Sequence, residues 1–76
     1  MNKHRRKRIE DVISQLEILA SEIEEIQSEE EEAYDNLPIS LQESERGERM
    51  LEAVDSLSSA FNDLELIVSE LGRAVE

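Results

Sequence analysis

The chain has no cysteine and no tryptophan, and only one proline, two glycines, one phenylalanine, one tyrosine and one histidine among its 76 residues. Without cysteine there is no disulfide to staple a small fold and no thiol chemistry. With His4 as its only histidine, the chain lacks the donors of a zinc site and the paired Glu-x-x-His motifs of di-iron bundles. Gly47 and Gly72 stand far apart, so no glycine-rich loop cradles a phosphate. Long apolar runs are missing too, and none approaches the ~18 residues of a membrane span. The basic Met1–Arg8 stretch looks like the start of a signal peptide, but Glu10, Asp11 and Glu17 interrupt the segment after it. Cytoplasmic residence is therefore the expectation.

What the chain has in excess is negative charge, distributed unevenly. Twenty acids face eight lysines and arginines, for a net charge of −12. Residues 1–8 hold five of the bases (Lys3, Arg5, Arg6, Lys7 and Arg8) and no acid, so the remaining body is still more acidic than the whole. Such a body repels nucleic acid and anionic membrane and attracts basic surfaces.

Two apolar stripes converge on Pro38. Ile9, Val12, Leu16, Leu19, Ile23 and Ile26 alternate steps of three and four, as do Met50, Val54, Leu57, Phe61, Leu64, Val68, Leu71 and Val75. This spacing marks one face of a helix. Folding at Pro38 sets Ile9 against Val68, Val12 against Leu64, Leu16 against Phe61, Leu19 against Leu57, Ile23 against Val54 and Ile26 against Met50. The expected fold is all-α: an antiparallel, coiled-coil-like two-helix hairpin forming a single domain. Residues 1–8 form the basic start of helix 1, 9–35 its body, 36–40 the turn and 41–76 helix 2. Helix 2 restarts near Glu45 if Gly47 weakens its opening turns. Asn2 is the candidate N-cap of helix 1, with fraying expected among the bases of its first turns. Ser40 and Glu43 have the spacing of a capping box for helix 2.

A hairpin of this size holds about a dozen large seam residues, each worth ~1.5–3 kcal/mol when fully buried, against an ordering cost of roughly 1.5 kcal/mol per residue. Self-association is the remaining source of stability. Beside the stripes lie Ile13 and Ala20 on helix 1 and Ala53, Ala60, Ile67 and Ala74 on helix 2. These six are the expected oligomer interface, through which two hairpins pair as a homodimeric four-helix bundle. Ile18 and Leu66, apolar on polar faces, widen that interface.

Toward the turn the seam becomes polar. Glu29, Glu30, Glu31 and Glu32 face the stretch holding Arg46 and Arg49, so neutralisation across the hairpin is expected there, as exposed pairs worth ~0–1 kcal/mol each. Tyr34, Leu37 and Ile39 place apolar groups at the tip, where an exposed cluster would mark a docking site.

Catalytic and cofactor readings find little support. Small all-α pyrophosphohydrolases hold magnesium with paired carboxylates on facing helices, and Glu22-x-x-Glu25 and Glu52-x-x-Asp55 match that spacing. Heptad placement points these four outward, whereas a magnesium site needs converging oxygens. No enzyme activity, cofactor or metal is expected. A polar pocket near Glu30, Arg46, Gly47 and Arg49 offers a second reading, the sequestering of a nucleotide-like ligand. The basic N-terminal arm offers a third, contact with nucleic acid, although no aromatics interleave with its bases.

Residues 30–48 carry a turn of the form D-N-x-P-x-x-L-Q-x-S-E-R. With the basic start and the two acidic helices, it resembles a family of short proteins from Gram-positive bacteria and their phages or mobile elements, a family with no assigned activity. The resemblance implies a phage-type setting in which the protein inhibits or adapts a host or defence protein. It directs attention to Asn36, Pro38, Gln42, Ser44, Glu45 and Arg46. The expected function is non-enzymatic binding to an unidentified protein with a basic surface. The binding residues would be Glu29, Glu30, Glu31, Glu32, Tyr34, Asn36, Leu37, Pro38, Ile39, Gln42, Ser44, Glu45, Arg46 and Arg49.

Overall fold

Asn2 begins the first helix as its spacing suggests: its side chain accepts a hydrogen bond from the Arg5 backbone N–H at 2.8 Å, satisfying a donor that the first turn leaves open. The computed structural model describes residues 1–76 as α1 (Lys3–Asp35), α2 (Ile39–Gln42) and α3 (Glu45–Ala74), with no strand. The basic start is thus helical from Lys3 onward. No helix is long and apolar enough to cross a membrane.

The turn is built differently from the capping box expected of Ser40 and Glu43. Leu37, ahead of Pro38, leaves the helix because the proline ring crowds helical geometry at the preceding residue. Pro38 is extended and opens a single helical turn in which Ser40 is an interior residue and Glu43 the C-cap. The chain then breaks again, and Ser44, also extended, is the N-cap of α3. The Ser44 hydroxyl donates back to the Leu41 carbonyl rather than capping α3. Glu45 and Glu48 in the first turn of α3 and Arg73 in its last complement the helix dipole instead.

Helices α1 and α3 pack along their lengths as an antiparallel hairpin, with α2 against the start of α3. The molecule measures 58 × 14 × 12 Å. Its radius of gyration of 17.3 Å compares with about 11 Å for a compact chain of the same length.

On α3 the packed face is the expected stripe, with Met50, Val54, Leu57, Phe61, Leu64, Val68, Leu71 and Val75 all partly covered. On α1 it is rotated. Ile9, Leu16 and Ile23 are partly covered as expected, but Val12, Leu19 and Ile26 remain 45, 51 and 46 % exposed. Their places in the seam are taken by Ile13, Ala20, Gln27 and Tyr34. The expected contacts of Val12, Leu19 and Ile26 with α3 are therefore corrected, and so is the outward placement of Ile13 and Ala20. An apolar face three positions wide can dock through either edge, and the edge holding Ala20 lets the helix axes come closer. Ala20, 2 % exposed, is the only buried apolar side chain, and no large side chain is fully enclosed.

Candidate interaction site

At the turn end, Glu30, Glu45, Arg46, Arg49 and Met50 border one shallow depression. Of the four consecutive glutamates only Glu30 lies on the packed line of α1. Successive residues step about 100° around a helix, so Glu29, Glu31 and Glu32 fan out and are exposed. Arg49 pairs with Glu45, one turn back on its own helix, and both side chains are about three-quarters exposed. Arg46 forms no ion pair. The three ion pairs of the molecule, Lys7–Asp11, Glu45–Arg49 and Glu70–Arg73, each lie within a single helix. Neutralisation of the acidic run across the hairpin is therefore not found, because the shorter reach to a helical neighbour competes with it. The hydrogen bond from Lys7 to Asp11, reinforced by the attraction of the two charges, raises the Lys7 pKa above 10.5. A raised lysine pKa contributes below its unfolded value and is lost as pH rises through the folded one, so near neutrality this exposed pair contributes in full and does not vary with pH.

The tip is more ordered and less apolar at its surface than its composition suggests. Tyr34 and Leu37 are half-buried, which corrects their placement as an exposed cluster with Ile39; Ile39 alone of the three projects, at 71 % exposure. The Gln42 side-chain amide donates to the Tyr34 carbonyl at 3.0 Å, closing the open end of α1. Gly47 is buried because α2 crosses directly over it. A Cβ there would lie 2.0 Å from the Gln42 carbonyl oxygen. Several turn-motif residues thus have structural tasks. The Asn36 N–H closes α1 onto Glu32, Pro38 opens α2, Gln42 ties α2 to α1 and Ser44 begins α3. Arg46 is left free at the surface, beside the exposed Glu45–Arg49 pair. The contact between Gln42 and Gly47 was not foreseen; its only trace in the sequence is a glycine inside a helix.

No three acidic or histidine side chains converge anywhere, and Glu22, Glu25, Glu52 and Asp55 are all exposed. His4 is exposed in the first turn of α1. Near the open end, Arg5, Arg8, Ile9, Asp11, Val12 and Gln15 outline a second depression on α1 alone.

The rotation of α1 gives the hairpin two unlike sides. In an antiparallel pair, equivalent flanking positions of the two helices share a side. The residues just ahead of Ile13, Ala20 and Gln27 are Val12, Leu19 and Ile26; those just ahead of Val54, Phe61, Val68 and Val75 are Ala53, Ala60, Ile67 and Ala74. These seven apolar residues form one side. The opposite side carries Glu10, Glu17, Glu24 and Glu31 of α1 with Leu51, Ser58, Glu65 and Gly72 of α3. Ile18 and Leu66, 68 and 66 % exposed, point directly away from the seam and belong to neither side.

No protein-family model, no curated protein and no solved structure matches the chain.

Proposed function

We propose that the protein is a non-enzymatic adaptor or inhibitor that acts in the cytoplasm, with two hairpins pairing through their apolar sides into a four-helix bundle. The acidic sides then face outward and meet a partner protein with a basic surface. The observation that carries this reading is the division of the hairpin into an apolar and an acidic side. The first suits constitutive association and the second suits electrostatic recognition. The turn adds specificity through Glu45, Arg46 and Ile39, which project beside the exposed Glu29, Glu31 and Glu32. Resemblance to the phage and mobile-element family supports a host or defence protein as the target.

Sequestering of a nucleotide-like ligand at the turn is the weaker reading, since Arg49 is engaged by Glu45 and acids surround Arg46. Contact with nucleic acid through Lys3, Arg5, Arg6, Lys7 and Arg8 is weaker again, because the acidic body offsets their attraction beyond a Debye length of ~8–10 Å.

The test is capture of a partner by tagged protein in its native host. Replacing Glu29, Glu31 and Glu32 with lysine should abolish capture, and unchanged capture would reject the acidic-surface reading. A thermal shift of several degrees with a nucleotide would favour the ligand reading instead.

A further inference from the structure

We infer that the apolar side is covered by a second copy of this chain in one orientation, turn end against open end, about a two-fold axis passing between Leu19 and Ala60. The inference rests on the proposed bundle and gives it a geometry.

Area gives the first argument. A compact monomer of this mass exposes about 4,700 Å², whereas this chain exposes 5738 Å². The excess of about 1,000 Å² is close to the roughly 800 Å² that each partner contributes to a standard interface. Val12, Leu19, Ile26 and Ile67, all on the apolar side, are each about half exposed.

Symmetry gives the second. At the turn, Glu30 shares a depression with Arg46, Arg49 and Met50. Counting equally along both helices from there puts Leu19 at the level of Ala60. A two-fold axis at that level brings Leu19 onto Leu19 of the second copy and Ala60 onto its Ala60. Val12 then meets Ile26, and Ala53 meets Ile67. At the Ala53–Ile67 pairs large faces small, as interdigitation favours.

Charge selects the orientation. The rim of the apolar side runs along α1 from Arg8 through Gln15 and Glu22 to Glu29, positive at the open end and negative at the turn. Along α3 it runs from Arg49 at the turn through Ser56 and Asp63 to Glu70 at the open end. Turn-to-open docking sets Arg8 against Glu29 and Arg49 against Glu70. It also lays the five bases of residues 1–8 beside residues 29–49, which hold eight acids and two bases. Docking with both turns at one end would pair the rims equally well, Arg8 with Glu70 and Glu29 with Arg49. But it would set two turn segments, each with eight acids against two bases, side by side and two basic starts side by side at the other end.

The absence of native cysteine makes the test direct. Light scattering of the unmodified chain should give about twice its 8.7 kDa mass. Chains carrying Val12→Cys and Ile26→Cys, mixed and treated with a short bis-maleimide, should form a Val12–Ile26 linkage between copies. Val12→Cys mixed with Ile67→Cys should not link beyond the background of Ile18→Cys, which points outward. A monomer mass would overturn both the bundle and its geometry. A dimer linked through Val12 and Ile67 instead would retain the bundle and overturn the orientation.

Discussion

Gly47 and Gly72 lie in the same helix and neither has a positive φ, yet a methyl group meets opposite surroundings at the two positions. At Gly47 it would sit 2.0 Å from the Gln42 carbonyl oxygen, a backbone atom that moves only if α2 moves; at Gly72 it meets nothing within 4 Å. Gly47→Ala should therefore destabilise by about 1–3 kcal/mol, as overpacking does. Gly72→Ala should stabilise by up to about 1 kcal/mol, because alanine loses less conformational entropy in a helix. Urea denaturation at one fixed protein concentration checks both, and equal effects would contradict the crossing of α2 over α3. Gln42→Ala removes the donor to the Tyr34 carbonyl and should cost about 0.5–1.5 kcal/mol, with faster hydrogen exchange confined to the turn.

For the elements, the consequence to measure is the rotation of α1. Ile13, in the seam, and Val12, beside it, are adjacent and both apolar, so hydropathy alone does not distinguish them. Ile13→Ala should destabilise the hairpin by about 1–3 kcal/mol at any protein concentration, since it removes partly covered aliphatic surface. Val12→Ala should act mainly through association, with an effect on thermal unfolding that is full where the dimer dominates and fades as dilution dissociates it. Ile18→Ala, pointing outward, should stay within about 0.5 kcal/mol of the unmodified chain. Circular dichroism melts at two concentrations separate the three cases. If Val12→Ala and Ile13→Ala were interchangeable, α1 would present the unrotated stripe.

For the whole molecule, the balance lies between a large net negative charge and a thin core. Each chain carries −12 and buries only Ala20 and Gly47, so self-repulsion opposes both the hairpin and its pairing. Added sodium chloride screens that repulsion. It screens the attraction of the basic start for the acidic turn segment as well, but that attraction sets orientation more than affinity. Raising salt from about 0.05 M to about 0.5 M, which shortens the Debye length severalfold, should raise the melting temperature and tighten association. Light scattering across a dilution series reads the second effect, and weaker association at high salt would show that attraction between rims, not apolar area, dominates the pairing.

The helices and their doubling back were legible from local information. The alternation of threes and fours is a property of each segment, Asn2 lies where a cap belongs, and Pro38 excludes helix at Leu37 whatever surrounds it. The uneven charge was equally open to view. The restart of α3 at Ser44 was not, because Ser40 and Ser44 are both credible caps, and the choice between them depends on α2 crossing over Gly47. Nor was the face of α1 that meets α3. Periodicity along a chain records which residues share a stripe, but not the angle through which a helix turns about its own axis. That angle depends on how closely two helices can approach, and it places Ala20 inside while leaving Leu19 at the surface.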